Sequence, residues 1–460
     1  MPPLIVKFHE LSVGFLLLTL VNISNVYSQS PCDKFTPEWI ALGITTSPAT
    51  QQTVSWRSSK GSRDAMAQLV KEDPSPNLED LATTYYALSN AYSDYGVEKD
   101  YHRVTFNNLE PGTVYLYRIG NNGCWSEWYQ FKTALGSPKP FSFLYFGDVQ
   151  YQIRSLFPRV LRQAILQAPS SALMVFAGDL TSNATHQEFD DFFRAGDWIL
   201  ASKPIVPVPD GHEYPKDSLG MRHKLASFWE LTFAYPSNAP KELEGVGNYY
   251  FDYQNTRFIL FNTFDYSVSG KSKLYLEWLE SLLQNNPQKW TVVVHHQPVM
   301  PVTERRNQTK FYDQVKPLYD RYGVDLVLSG HDHGYSRGGI ELEGKKEKVI
   351  TGPVYVVSVA GPGMYALAYR DWYDRIASNT QLFQHVFMGE DELRFQTYTA
   401  TGRLYDEFII KKSLHEKRFI DLAPHIEEFT ELPPSQRSRY NPDQLQKLEE
   451  QRRRYLERKQ

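Results

Sequence analysis

Val324-Asp325-Leu326-Val327-Leu328-Ser329-Gly330-His331-Asp332-His333-Gly334 is the stretch that sets the fold. Its first half is a short, β-rich apolar run, the pattern of a buried strand, and it stops at a glycine followed by two histidines one residue apart. Two imidazoles therefore stand at a strand's carboxyl end, the edge of an α/β sheet where ligands bind. Neutral imidazole is the commonest metal ligand, and Gly330 and Gly334 let the backbone turn tightly around a site. Taken alone, such a loop is more often a pair of solvated surface histidines than a metal site. What changes the balance is that strand-then-acid or strand-then-histidine junctions recur at Asp148, Asp179, His212 and His296.

Working outward, the segment after the linker Gly136-Ser137-Pro138-Lys139-Pro140 alternates strands with helical stretches, an α/β pattern. The run from Phe141 to Phe146 ends in Gly147-Asp148-Val149-Gln150, and the run from Ala172 to Ala177 ends in Gly178-Asp179-Leu180-Thr181. The run from Pro204 to Val208 leads into Pro209-Asp210-Gly211-His212-Glu213, and Trp290 to Val294 leads into His295-His296-Gln297-Pro298. Any one of these is ordinary: Gly-Asp after a strand is often a turn or a helix cap. Five of them in order, all on one edge of a sheet, point to a metal site.

The segment from Pro37 to Thr133 is different, with short alternating strands such as Thr53 to Arg57, Val114 to Ile119 and Trp128 to Thr133, the pattern of a β-sandwich. Residues 61 to 100, with Pro74, Pro76 and clustered tyrosines, are expected to form a long insertion. The chain has 460 residues, 41% hydrophobic and 22% charged, enough for two domains with real cores. A net charge of -4, without a basic stripe ahead of the C-terminal tail, argues against a nucleic-acid partner. Lys7 and the apolar run Val13 to Val21 read as a secretory signal that ends after Ser28, and the run is too short for a stable membrane span. An exported chain can pair its two cysteines, Cys32 and Cys124. The charged stretch beyond Lys412 is expected to be a solvated tail rather than a docking element.

The order Asp-x-x, Gly-Asp, His-Glu, His-x-Pro, Gly-His-x-His resembles the signature of the calcineurin-like metallophosphoesterases. The turn Leu109-Glu110-Pro111-Gly112-Thr113 and the tyrosine-rich strand after it resemble fibronectin type III modules, in particular the N-terminal domain of purple acid phosphatases. Between the signal peptide read at 1–28 and the charged tail read at 413–460, the resemblance implies a fibronectin-like all-β sandwich at 29–135 and an αββα metallophosphoesterase sandwich at 136–412. It also implies two metal ions, iron, zinc or manganese. Asp148, Asp179 and His333 would hold one, and Asp179, His296 and His331 the other, a carboxylate with two oxygens being a natural bridge between paired metals. His212 would contact the phosphoryl group and protonate the leaving oxygen. The substrate implied is a phosphate ester, most simply a monoester cleaved by a metal-activated hydroxide, in a secreted or periplasmic protein.

Three departures accompany the resemblance. Ser182 stands where purple enzymes have the tyrosine whose charge transfer to ferric iron gives the colour. Gln150 stands where they have glycine, which would offer an amide oxygen to the first metal, as in some nucleotide-cleaving relatives. The family's Gly-Asn-His becomes Asp210-Gly211-His212. Either Asp210, one residue early, reaches the second metal, or the asparagine's position is vacant, and the vacant reading is the expectation from spacing along a tight loop. Phosphodiester or nucleotide pyrophosphate cleavage and a catalytically degenerate binding protein are the alternatives.

Overall fold

The computed structural model describes residue 32 and residues 36–459, other than 63, 122, 305, 307–309, 341 and 343–344. The expected signal segment lies outside the described residues. Strand Phe141–Phe146 shows how the sequence builds the larger domain. Side chains alternate along a strand, so Phe143 and Tyr145 enter one buried cluster with Phe258, Leu260, Val292, Val294, Leu326 and Leu328. Leu144 and Phe146 face the other way, onto Phe157 and Leu161 of helix Ile153–Gln167 and Phe192 of helix His186–Gly196. The strand is apolar on both faces because both faces are covered.

The same logic runs through the second sheet. Val293 and Val327 turn away from the inter-sheet core and pack on Trp278 and Leu279 of helix Ser272–Gln284 and Val315 of helix Lys310–Arg321. Two sheets, eight-stranded and seven-stranded, are thus sandwiched between helices, the expected αββα arrangement. Phe141–Phe146, Met174–Phe176 and Ile205–Pro207 are parallel neighbours in the first sheet. Trp290–Val294 and Leu326–Ser329 are parallel neighbours in the second. All five motif loops therefore leave carboxyl ends, and the Tyr145 hydroxyl donates to the Ser329 carbonyl to tie the two sheets together beneath them.

The N-terminal domain is an all-β pair of four- and five-stranded sheets around Leu42, Val54, Trp56, Phe106, Tyr117 and Ile119. Residues 61–100 are not an insertion but part of this sandwich. Met66–Lys71 pairs with Val114–Asn121 and Thr83–Tyr86, and Leu88–Asp94 pairs with Val97–Phe106. Thr83–Tyr86 and Leu88–Asp94 lie largely exposed at sheet edges, which hides their alternation, whereas Met66–Lys71 is interior and mostly buried; Pro74 and Pro76 belong to its connection to Thr83–Tyr86. A disulfide joins Cys32 to Cys124. Trp39, in a bulged stretch of strand Glu38–Gly43, inserts against the catalytic-side helix His186–Gly196: its ring stacks on Phe193 at 5.4 Å and its Nε1 donates to Asp190 at 2.7 Å. Arg57 covers the ring with its guanidinium 3.4 Å from the centroid and pairs with the same Asp190 at 2.6 Å.

The expected boundary at 412 falls inside a hairpin, because Leu404–Lys412 pairs with Lys417–Asp421 and the first sheet continues past it. Nor is the charged tail solvated throughout. Asn441 caps helix Pro442–Glu457 through the Gln444 N–H, and Tyr455, 1% exposed, fills a cluster with Val302, Val357, Leu367, Tyr373 and Ile376. Half of this helix is charged, but buried Leu448 and Tyr455, the latter bonded to Glu428 at 2.7 Å, and the Arg452 bond to the Thr430 hydroxyl at 2.9 Å dock it. Among the described residues no helix is long and apolar enough to cross a membrane.

Candidate metal centre

Five of the expected ligands come together where the strand ends converge. Ligand atoms of Asp148, Asp179 and His333 lie within 4.8 Å of one another, as do those of Asp179, His296 and His331. Asp179 is common to both groups. His296 Nε2 sits 2.9 Å from Asp179 Oδ2 and 3.7 Å from Asp148 Oδ1, and His333 Nε2 sits 3.4 Å from the same Asp148 oxygen.

The backbone is bent to bring them there. Asp179, His331 and His333 have φ of 50°, 73° and 29°, the left-handed region that non-glycine residues seldom adopt and that recurs at functional sites. Two motif glycines are required by close approach. A Cβ on Gly178 would stand 2.7 Å from the His296 ring, and one on Gly330 would stand 2.6 Å from Asp148 Oδ2. His296 donates its Nδ1 proton to the Ala177 carbonyl at 2.6 Å, which turns Nε2 toward the carboxylates. Asp148 Oδ2 accepts the His331 N–H at 2.7 Å, leaving Oδ1 free for the site.

The remaining expected residues are placed as follows. Gln150 turns its amide nitrogen, not the expected oxygen, to the candidate ligands: Nε2 donates to Asp179 Oδ2 at 3.0 Å and stands 2.9 Å from His333 Nε2. Asp210 accepts the Thr263 hydroxyl on Oδ1 at 2.9 Å and directs Oδ2 to within 4.0 Å of His296 Nε2. Gly211, by contrast, faces the Phe264 ring, where a Cβ would lie 3.2 Å from Cδ2. His212 is the half-exposed member: Nδ1 donates to the Ser182 carbonyl, and Nε2 stands 3.9 Å from Asp179 Oδ2. His295 points to the opposite face of its strand, onto Phe311 and Tyr319, and burial pushes its imidazole down to about 3.

The donor set suits a cation. Asp148, Asp179 and Asp210 are buried carboxyl groups around the His296 imidazole, and Asp148 Oδ1 and Gln150 Oε1 are buried without a hydrogen-bond partner. Buried anionic and acceptor groups left so are normally neutralised by coordination. Burial alone would raise the Asp148 and Asp179 carboxyls, but the facing imidazoles outweigh it and hold both below the usual range. Burial likewise opposes protonation of His296, yet Asp179, Asp210 and Asp148 pull its affinity for a positive charge well up. His331 is driven the other way, by burial and then by His296 and Arg306, and so stands neutral. Mixed imidazole and carboxylate donors are what borderline divalent ions and ferric iron accept.

Several supporting residues carried no sequence signal of their role. Glu213 lies within a motif, but its carboxylate works on the backbone, accepting N–H bonds from Asp179 and Asp210 at 3.1 Å each and Thr181 at 3.3 Å. Arg222 lies in a loop no pattern marks, and it donates to the Gly211 carbonyl at 2.7 Å and the Ser182 carbonyl at 3.4 Å, on either side of His212. Tyr365 stacks flat on His333 with centroids 4.3 Å apart. Asp332, between the two ligand histidines, instead anchors the 302–306 loop through the Thr303 N–H at 3.1 Å and an ion pair with Arg306.

Comparison with known proteins agrees with this geometry. Residues 37–133 match the family described as purple acid phosphatase, N-terminal domain, and residues 141–335 match calcineurin-like phosphoesterase, together more than half of the chain. Among curated relatives, acid phosphatase type 7 of Mus musculus is 28% identical over 331 residues, 66% of this chain and 70% of the relative. Acid phosphatase type 7 of Homo sapiens is 26% identical over 294 residues, 56% of this chain and 63% of the relative, so the matched stretch falls short of two thirds of that protein. Purple acid phosphatase PPD1 from yellow lupin (Lupinus luteus) seeds superposes with a TM-score of 0.67 at 17% identity, covering 83% of this chain and 75% of that one, a likeness of fold.

Proposed function

The chain belongs to the calcineurin-like phosphoesterases, with a purple acid phosphatase N-terminal domain ahead of the αββα sandwich, and on that premise we propose that it is an exported acid phosphatase-type hydrolase of phosphate monoesters. The observation that carries the reading is the pair of ligand groups sharing Asp179. Asp148, Asp179 and His333, with the Gln150 amide beside them, would hold one ion; Asp179, His296 and His331 would hold the other. Two such ions supply an acidified attacking water and neutralise phosphoryl oxygens. The ions would be iron, zinc or manganese, given the nitrogen and carboxylate donors.

The chain's own residues do the rest. Asp210 directs an anionic oxygen toward His296, which supports it, rather than a vacancy at Gly211, as the stand-in for the family's asparagine. Ser182 accepts the His212 Nδ1 proton, so neutral His212 carries its lone pair on Nε2 and in the protonated form donates from there. A half-exposed imidazole at the rim, with that atom turned to the site, is suited to hand a proton to a departing oxygen. Export is supported by the Cys32–Cys124 disulfide, since oxidising compartments preserve such bonds.

The test is phosphate release from p-nitrophenyl phosphate by protein loaded in turn with manganese, zinc and iron, with metal content measured per chain. Two ions per chain and a chelator-sensitive release are expected, both lost in Asp179→Asn. No release above the chelated control, from this ester or from a nucleotide panel, would refute the reading. The Gln150 amide keeps phosphodiesterase activity as a second reading, and bis-p-nitrophenyl phosphate turnover measured side by side separates the two.

A further inference from the structure

The C-terminal segment, beyond both family matches, returns to the edge of the metal centre. Gln436, Arg439 and Tyr440 stand opposite Thr303, Arg306 and Tyr365 around a cavity of about 210 Å³. Two of its walls are continuous with the ligand loop. Tyr365 lies on the His333 ring and donates its N–H to the His333 carbonyl at 3.1 Å, while Arg306 donates to the His331 carbonyl at 3.0 Å. The two guanidinium groups are not equivalent. Arg306 is neutralised by the buried Asp332, whereas the exposed Arg439 has no ion-pair partner among the described residues. Its charge is felt at Tyr151, whose ring stands 5.9 Å from that of His333. A guanidinium without an ion-pair partner among the described residues, sharing one cavity lining with Tyr440 and with Tyr365, which stacks on the candidate ligand His333, suits an anion arriving with a carbon skeleton. The volume is below the roughly 300 Å³ at which pockets for whole drug-sized ligands begin, so it takes one end of a molecule.

We propose that this cavity is a subsite for a second phosphate group carried by the leaving group of the ester, with Arg439 binding the phosphate and Tyr365 and Tyr440 flanking the atoms that lead to it. The subsite rests on the phosphoesterase reading and narrows its substrates to bisphosphorylated small molecules or nucleotides.

The test compares wild-type, Arg439→Ala and Arg439→Lys proteins, metal-loaded, on fructose 1,6-bisphosphate, fructose 6-phosphate and ADP, with calorimetric binding of pyrophosphate to the same three. The bisphosphate should be preferred over the monophosphate in kcat/KM. Arg439→Ala should lower that preference about tenfold, the scale of one charge-assisted hydrogen bond, through KM rather than kcat. Arg439→Lys should recover part of it, and pyrophosphate binding should weaken in parallel. ADP turnover above that of the sugar bisphosphate would assign the aromatic walls to a nucleobase, and lower turnover would assign the subsite to compact bisphosphates. An unchanged preference in Arg439→Ala, or unchanged pyrophosphate binding, overturns the subsite. Arg439-dependent pyrophosphate binding with no turnover of any ester would leave the subsite standing and overturn the phosphoesterase reading instead.

Discussion

Replacing Glu213 by alanine is expected to loosen two loops of the metal centre at once. One carboxylate oxygen accepts the Asp179 and Asp210 N–H groups, the other the Thr181 N–H, and the residue is fully buried. Alanine leaves three buried donors unsatisfied, at about 1–3 kcal/mol each. Against that stands the penalty the carboxyl itself bears: burial, then the Asp179 charge, push it up to about 8, so at neutral pH the protonated form predominates and accepts the N–H bonds less strongly than a carboxylate. The net loss should therefore sit near the low end, about 3 kcal/mol for the three bonds, a large part of the roughly 5–15 kcal/mol that holds a domain folded. Glu213→Gln keeps an oxygen for Asp179 and Asp210 but turns an amide N–H toward that of Thr181, and should lose roughly half as much. Urea unfolding followed by tryptophan fluorescence in chelator measures the difference without a metal contribution. A Glu213→Ala protein within about 1 kcal/mol of wild type, or a glutamine variant as damaged as alanine, would refute the reasoning.

Three further outcomes are expected. Asp210→Ala should weaken one of two metals by at least the roughly 10–100-fold that loss of a supporting partner brings. The double exchange Asp210→Gly with Gly211→Asn should weaken it too, because an asparagine at 211 meets Phe264; metal titration showing tighter binding would restore the vacant-position reading. Iron-loaded protein should lack an intense visible band, since Ser182 has no phenol and burial pushes the Tyr365 phenol beside His333 up to about 12; absorption spectroscopy after iron loading checks this, and a strong purple band would show the second motif to be misaligned. His102, bonded to the Ser58 and Ser89 hydroxyls, is held down to about 4 by burial, from 6.5. Its neutral form stabilises the fold fully above 6.5, and up to about 3 kcal/mol is lost as pH falls through 6.5 toward 4. Thermal unfolding of His102→Gln should show a flatter acid limb than wild type, and parallel limbs would sink the assignment.

Sequence carried the catalytic side of the fold because its signals are local. Each motif sits directly after a short apolar strand, so period and punctuation alone located Asp148, Asp179, His296, His331 and His333. Alternation sends His295 and His296 to opposite faces, but the choice of His296 came from the resemblance, because it stands two residues before Pro298 as the family's ligand does. What sequence did not carry depends on contacts made through space. Arg222 and Tyr365 lie in irregular loops whose positions are set by packing, and the edge strands Thr83–Tyr86 and Leu88–Asp94 are too exposed to show alternation. The tail was misread because a sixteen-residue helix, half of it charged, buries only Leu448 and Tyr455. Asp210 against Gly211 turned on which side chain a short turn aims at His296, a matter of one backbone rotation.

The left-handed backbone at Asp179, His331 and His333 sets chemistry against folding at the same three positions. Glycine at any of them would relax a conformation that disfavours other residues by about 1 kcal/mol or more, and would delete a ligand. Mutational drift that is blind to activity thus runs downhill toward a sturdier, inert scaffold. A laboratory selection for heat resistance alone should reach Asp179→Gly, one base change away, before the two-base changes at His331 and His333, and inert descendants should carry glycine at these candidate ligands.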